Sequence, residues 1–129
     1  MLNVLISIKP KYVQEILGGK KKYEYRKSIF KREVDKIYIY STSPDRKIVG
    51  YFKFVGYLKE DPEKIWEITK ECSGIDKESF KEYFNNKTHA YAIKIEQLYI
   101  FHTPIDPHKV LQNFIAPQSY FYLQGDIVG

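Results

Sequence analysis

Strand-forming and helix-forming segments follow one another in an irregular order along this chain of 129 residues. A strand pattern over residues 2–8 precedes a short helical pattern. Three strand patterns, two helical patterns, another strand, a third short helix and a final strand then follow. The order lacks the regular β-α-β alternation that builds parallel sheets. It therefore predicts an α+β fold, a small and mostly antiparallel β-barrel with flanking short helices.

The first helix has clear limits in the sequence. A helix predicted over residues 11–17 places Val13, Ile16 and Leu17 on one face, because these positions follow the helical repeat. The glycine pair Gly18-Gly19 comes directly afterwards and is typical of a helix C-terminus. We expect the chain to turn there and to become extended over residues 23–27.

The longest predicted strand, over residues 48–58, contains Gly50 and Gly56, where a barrel strand would bend or bulge. It follows a strong strand pattern over residues 36–41. The later predictions are helices beginning at Asp61 and Asp76, a strand over residues 88–95 continued or paired by 98–102, a short helix over 106–114 and a final strand over 120–123.

Length and composition predict one domain. The chain is 43% hydrophobic, which is enough to fill one core, and a second core built from 129 residues would be too small to be stable. We expect a single domain over residues 1–129, with a core over about 2–123 and a frayed tail over 124–129.

Positive charge is concentrated in the first half of the chain. Residues 1–60 contain 14 Lys or Arg and 6 Asp or Glu, while the whole chain has a net charge of +5. A basic face attracts polyanions such as nucleic acid, although a solvated surface without a partner fits the same numbers. One cysteine, Cys72, precludes an intrachain disulfide. The sequence has no apolar run of ~20 residues and no signal segment, so we expect a cytoplasmic protein with no membrane partner.

The segment from Gly19 to Arg26 carries the most chemistry, and it reads G-x-K-x-x-E-x-R. On an extended segment, Lys22, Glu24 and Arg26 share one face and the intervening tyrosines share the other. A carboxylate held beside an arginine can accept hydrogen bonds from a base or act as a general base. Arg26 offers a planar fork for a phosphate. Lys21 can neutralise a phosphate, or act as acid, base or nucleophile if its pKa is lowered.

This motif resembles the signature of the ASCH domain family, which places Gly, Lys, Glu and Arg at the same spacing after a first short helix. Residues 36–41, 48–52, 90–95 and 117–119 also look like later parts of that family, so the resemblance covers nearly the whole chain. It implies a PUA-like barrel. It also implies RNA or a nucleotide as the partner, because ASCH domains are similar to RNA-binding PUA domains.

The resemblance leaves catalysis open. Some members are hydrolases: one branch contains ribonucleases, and another removes the acetyl group of N4-acetylcytidine. In the second branch a lysine at the place of Lys21 is catalytic, with a threonine at the place of Glu24 and an acid near Cys72. This chain has Glu71 as its nearest acid and has no threonine at position 24, which argues against that amidohydrolase activity.

A cleft lined by the motif is therefore the predicted site. Lys21 and Glu24 are its catalytic candidates if the protein is an enzyme. The predicted substrate- or RNA-binding residues are Lys9, Gly19, Lys20, Lys22, Arg26, Ser41, Thr42, Ser43, Tyr91 and Ser119. Three histidines and one cysteine have no metal-ligand spacing, so we expect neither a metal nor a cofactor.

Three functions fit these residues. The first is a binding module for RNA or a nucleotide, and the second is a small hydrolase that uses Lys21 and Glu24 on RNA or a modified nucleoside. The third is a regulatory domain that contacts only proteins. For the motif itself, a surface cluster of ion pairs is the structural alternative, since such clusters contribute little to stability and are common.

Overall fold

The computed structural model describes residues 1–127. Its strands are β1 (Leu2–Ile8), β2 (Tyr23–Arg26), β3 (Lys36–Ser41), β4 (Lys47–Glu60), β5 (Ala90–Ile105) and β6 (Tyr120–Gln124). Its helices are α1 (Pro10–Leu17), α2 (Pro62–Thr69), α3 (Lys77–Tyr83) and α4 (Pro107–Val110), with a short 3-10 helix over Lys70–Cys72.

All six strands belong to one sheet, in the order β2-β5-β4-β3-β1-β6. Four of the five neighbouring pairs are antiparallel, and β1 pairs with β3 in parallel. The α+β class is confirmed, with most strand pairs antiparallel. The edge strands β2 and β6 do not pair with each other, so the sheet is open and the predicted barrel is not confirmed.

Arg26 bridges the two open edges of the sheet. Its Nη2 donates to the Ser7 carbonyl on β1 at 2.8 Å, and its Nη1 donates to Ser119 Oγ, just before β6, at 3.2 Å. The backbone N–H of Ser7 donates in turn to the Ser119 carbonyl at 3.0 Å. The sheet must therefore curl far enough to bring β2 near β1. β2 pairs only with β5, so side-chain bonds from Arg26, and not a backbone ladder, connect β2 to β1 and to the segment before β6.

Three apolar clusters pack the helices and loops against the sheet. The first packs α1, through Val13 and Ile16, against side chains of β1, β3, β4 and β5. The second lies around Tyr38 and Phe101. The third joins α2 and α3 to β2 and β5 and includes Tyr25. Because this third cluster fixes β2 against α3, it also positions the motif next to a helix.

Local sequence explains where the helices begin. Pro10 occupies the first turn of α1, where its fixed φ is already helical. The Asp61 and Asp76 carboxylates accept hydrogen bonds from backbone N–H groups in the first turns of α2 and α3. Among residues 1–127, no helix has both the length and the apolar character needed to cross a membrane.

In the second half of the chain, residues 98–102 continue the strand that begins at Ala90, which is one of the two predicted arrangements, and the strand runs on to Ile105. Gln97, at φ +51°, lies near an irregular stretch of its pairing with β4. The predicted helix over 106–114 stops at Val110, because Leu111 becomes extended. The Phe114 ring instead packs 5.2 Å from the ring of Tyr40.

The expectation of a frayed tail does not hold for residues 124–127. Gln124 is part of β6, and Ile127 is only 7% exposed. The Ile127 N–H donates to the Tyr38 hydroxyl at 3.0 Å, and Asp126 pairs with Lys36 at 2.9 Å. These contacts were not visible in the sequence because they join residues about 90 positions apart. Residues 128 and 129 of the predicted tail lie outside the described part.

Candidate functional site

A cleft of about 1020 Å³ opens between β2, the start of α1, α3 and the segment before β6. Lys21, Glu24 and Arg26 all line it. Lys21 is 3% exposed and Glu24 is 7% exposed, so neither is an ordinary surface charge. The charged positions of the motif therefore converge in one cleft and are not spread over a solvated face.

The loop between α1 and β2 fixes Lys21. The Lys21 N–H donates to the Glu15 carbonyl at 3.0 Å. The next residue, Lys22, donates its N–H to the Cys72 carbonyl at 2.9 Å. The Lys21 ammonium donates to the Ser73 carbonyl at 3.0 Å. Helix α1 thus holds the Lys21 backbone, and the segment at Cys72 and Ser73, about 50 positions later, holds the next residue and the Lys21 ammonium.

Aromatic rings surround the Lys21 ammonium. Its Nζ lies 4.4 Å from the ring centre of Tyr25 and 5.5 Å from that of Tyr12. Burial lowers the pKa of Lys21 below its usual 10.5. Attraction to Glu24 opposes this change, and repulsion from Arg26 adds to it. Lys21 consequently gives up its proton more readily than a surface lysine, a property suited to proton transfer.

Glu24 and Arg26 form an ion pair on β2, with Oε2 and Nη2 3.0 Å apart. The same Arg26 nitrogen bonds the Ser7 carbonyl, and Nη1 bonds Ser119. Much of the guanidinium is therefore occupied by the protein itself. Arg26 therefore positions the cleft walls in addition to any contact with a ligand. The sequence had predicted only a guanidinium that is available to a phosphate.

Tyr25 forms part of the cleft wall from the opposite side of β2. Its hydroxyl bonds the Thr69 hydroxyl at 2.7 Å, and its ring meets the Phe80 ring edge-on at 5.0 Å. Burial raises the pKa of Tyr25 to about 12. The hydroxyl stays protonated at neutral pH, so Tyr25 acts as a fixed wall next to Lys21.

The rim of the cleft is basic and aromatic. Exposed Lys9, Lys11 and Lys27 line it. The Lys27 ammonium lies 4.5 Å from the ring centre of Tyr83. With Lys21 and Arg26, the cleft has five cationic side chains against two carboxylates, those of Glu24 and Glu82. Its field therefore favours an anionic ligand.

The structure brings together some of the residues predicted from sequence. Both catalytic candidates line the cleft, as do four predicted binding residues, Lys9, Arg26, Thr42 and Ser119. Six others do not line it: Gly19, Lys20, Lys22, Ser41, Ser43 and Tyr91.

The physical reasons for these six differ. Lys22 is exposed and, with Gly19, lines a separate cavity of about 510 Å³ next to β5. Lys20 lines another cavity, of about 480 Å³. Ser41 is buried and its hydroxyl donates to Asp45, while Ser43 lies in an exposed turn. Tyr91 pairs with Arg26 in register and packs against Tyr57.

Sequence reasoning missed several cleft residues. Tyr12 and Lys11 lie one turn into α1, and Lys27 directly follows the motif. Their proximity in sequence to Lys9 and Arg26 was a usable signal. Tyr83 and Glu82 come from α3, more than 50 positions later, and no local pattern places that helix beside β2.

The candidate downstream acid is not part of the cleft. Glu71, the candidate downstream acid, is exposed and lines the 480 Å³ cavity instead. Among residues 1–127, no group of three His, Cys, Asp or Glu side chains is arranged to hold a metal ion.

Comparison with known proteins identifies the family. A model of the ASCH domain matches residues 6–99, which is most of the chain and includes the whole motif. The chain belongs to the ASCH domain family. The crystal structure of ASCH from Zymomonas mobilis superimposes on this ASCH domain with a TM-score of 0.86 at 24% identity, covering 95% of this chain and 87% of the other. That likeness concerns the fold.

Two relatives are similar in sequence to this ASCH domain. An ASCH domain-containing ribonuclease of Zymomonas mobilis is 25% identical over 127 residues, covering 93% of this chain and 83% of the ribonuclease. The ATP synthase subunit alpha of Ureaplasma parvum is 26% identical over 122 residues. That match covers 94% of this chain but only 15% of the subunit.

Proposed function

We propose that this ASCH domain binds unpaired RNA and holds one nucleotide in the cleft formed by Lys21, Glu24 and Arg26. The observation that carries the proposal is the burial of an amine, that of Lys21, and a carboxylate, that of Glu24, in the wall of one basic cleft. A plain phosphate track has no use for a buried carboxylate, which repels phosphate. A base, by contrast, has N–H groups that can donate hydrogen bonds to a carboxylate.

The rim of the cleft offers two kinds of contact to RNA, cationic groups for phosphates and aromatic rings for bases. Lys9, Lys11 and Lys27 on the rim suit the phosphates on either side of the held nucleotide. Tyr12 and Tyr83 offer ring faces at the same rim. The ribonuclease relative, which aligns over most of both chains, supports RNA as the polymer.

Salt dependence tests the phosphate contacts. Affinity for a labelled single-stranded RNA, measured by fluorescence anisotropy from about 50 to 200 mM salt, should fall with a logarithmic slope near −0.7 for each neutralised phosphate. Lys11→Gln and Lys27→Gln should each reduce that slope by about 0.7. Lys109→Gln, on exposed α4, removes the same charge outside the cleft and should leave the slope unchanged. Equal effects of all three variants would reject the cleft as the binding site.

RNA cleavage is the second candidate function, and the lowered pKa of buried Lys21 favours it. In this cleavage step, the ribose 2′-oxygen attacks the adjacent phosphorus and the bond from phosphorus to the 5′-oxygen breaks. Glu24 accepts the 2′-hydroxyl proton, and the Lys21 ammonium gives a proton to the leaving 5′-oxygen. The products are a 2′,3′-cyclic phosphate and a 5′-hydroxyl, and solvent restores both side chains.

Product analysis distinguishes cleavage from binding. End-labelled single-stranded RNA should yield cyclic-phosphate ends with the wild-type protein and none with Lys21→Met. RNA in which the 2′-hydroxyl at each position is replaced by hydrogen should bind but stay intact. If unmodified RNA, which has its 2′-hydroxyls, binds to wild-type protein and stays intact, the protein is a binding module and not a ribonuclease.

A further inference from the structure

Six aromatic rings lie in a continuous row beside the cleft, and we call this row the aromatic file. Consecutive ring centres are 4.8 to 6.3 Å apart. In order, the rings are those of Tyr91, Tyr57, Phe54, Phe30, Tyr120 and Tyr122. Four elements contribute them: β5, β4, the loop before β3, and β6.

Strand register explains how the file is assembled. Tyr91 pairs with Lys59, and Phe54 pairs with Ile95, so these side chains share the face of the sheet that carries the first core cluster. The loop from β2 to β3 then places the Phe30 ring between the rings of Phe54 and Tyr120. A row that crosses from β4 to β6 is the result.

The rings of the file keep contact with solvent. Core aromatics such as Tyr38 and Phe52 are at most 1% exposed. Tyr57 is 41% exposed, and the other five rings are all partly exposed. Phe30, Phe54, Tyr120 and Tyr122 pack against the first core cluster and remain partly exposed. Tyr57 and Tyr91 belong to none of the three clusters, so packing of the core does not account for these two rings.

Each end of the file carries a cation. The Lys59 ammonium lies 5.6 Å from the ring centre of Tyr91, and the Arg32 guanidinium carbon lies 5.4 Å from that of Tyr122. Both cationic residues are exposed. Ring faces flanked by positive charge match the chemistry of unpaired nucleotides, which present flat bases and phosphates together.

The file also meets the cleft at two points. Tyr91 lies opposite Arg26 in the pairing of β2 with β5. Tyr120 directly follows Ser119, which lines the cleft and bonds Arg26. An RNA strand that leaves the cleft on either side therefore reaches a ring of the aromatic file.

We propose that the aromatic file is a second RNA-contacting surface, which stacks the unpaired bases flanking the nucleotide in the cleft. The inference rests on the proposed function, since the same RNA occupies both places. The cleft selects one nucleotide, and the file lengthens the contact without reading sequence, because every base has a face that stacks.

Oligonucleotide length separates the two surfaces. Binding of a trinucleotide and of a ten-nucleotide single-stranded RNA is measured by calorimetry at one salt concentration. Wild-type protein should bind the longer RNA more tightly. Tyr57→Leu keeps apolar bulk and removes the aromatic face, and it should weaken the longer RNA about fivefold or more while leaving the trinucleotide unchanged. Tyr57→Phe keeps an aromatic ring and should bind both RNAs with wild-type affinity.

A matched control lies on the same strand as Tyr91. Tyr99 is 53% exposed and its ring lies 5.4 Å from that of Tyr51, outside the file. Tyr99→Leu should leave both affinities unchanged. If Tyr57→Leu and Tyr99→Leu behave alike with the longer RNA, the file is not an RNA surface, while trinucleotide binding still upholds the cleft. If neither RNA binds wild-type protein, the proposed function fails and the file with it.

Discussion

The stem of Lys21 lies directly against the backbone of Gly74. A methyl group at Gly74 would overlap Cβ and Cγ of Lys21, and Gly74 has a φ of +62°. The preceding residue, Ser73, accepts the Lys21 ammonium hydrogen bond at 3.0 Å. The loop between α2 and α3 therefore holds Lys21 by shape and by hydrogen bonding.

Gly74→Ala should displace Lys21 and weaken RNA binding. It should also destabilise the fold by about 1–3 kcal/mol through backbone strain, with an added cost for the overlap. Gly125→Ala is the control, because Gly125 has a φ of +74° and no atom within 4 Å of the added methyl position. Urea denaturation and RNA binding measure both effects. If Gly125→Ala impairs RNA binding as much as Gly74→Ala does, Lys21 placement is not the cause.

The lowered pKa of Lys21 predicts a pH dependence of stability. Between that lowered value and the usual 10.5, the unfolded chain binds more protons at this lysine than the folded chain does. The free energy of unfolding contributed by Lys21 therefore rises as pH increases through this window. Denaturant titrations at about pH 8 and pH 10, on wild-type protein and Lys21→Met, should show wild type gaining stability relative to the variant. Parallel behaviour of the two proteins would contradict the pKa shift.

Glu24→Gln removes a buried negative charge and keeps the side-chain shape. If Glu24 accepts an N–H from the base, RNA binding should weaken by about 1–3 kcal/mol, the cost of losing a buried hydrogen-bond partner. Glu82→Gln provides the comparison, since Glu82 is exposed on the cleft wall and removing its charge should tighten RNA binding at low salt. Tighter binding by both variants would instead indicate a phosphate track.

Arg26→Lys tests the bridge between the sheet edges. Lysine keeps the charge but cannot reproduce the bonds to Ser7, Ser119 and Glu24 together. We expect a loss of about 1–3 kcal/mol in the free energy of unfolding. Ser119→Ala removes only the bond at 3.2 Å and should cost about 1 kcal/mol or less. Equal losses for the two variants would show that the bridge depends on Ser119 alone.

Local patterns predicted much of the fold and part of the lining of the cleft. Apolar periodicity predicted α1, and the resemblance to the ASCH signature predicted Lys21, Glu24 and Arg26 as a group. Strand alternation also indicated Lys22, yet Lys22 lies outside the cleft, because β2 begins only at Tyr23 and Ser73 draws Lys21 inwards. Whether Lys21 or Lys22 enters the cleft depends on the Ser73 carbonyl, which lies 52 residues from Lys21 and is not part of any local pattern.

Long-range packing decided the remaining features. The bridge between the open edges of the sheet depends on Arg26 reaching Ser7 and Ser119. The aromatic file depends on the Phe30 ring, which lies between the rings of Phe54 on β4 and Tyr120 on β6. Twelve tyrosines are spread along the sequence. Only the register of β4 and β5 shows which of them share a face.

Trinucleotide affinity of Lys21→Met compared with Lys22→Met tests the central claim most directly. The two variants remove the same charge from adjacent residues, but Lys21 is 3% exposed in the cleft and Lys22 is exposed outside it. Calorimetry should show affinity falling about tenfold or more for Lys21→Met, the loss of a buried charged contact. Lys22→Met should stay within about twofold of wild type, as expected for an exposed charge screened by solvent. Equal affinities of the two variants would contradict nucleotide binding in the cleft.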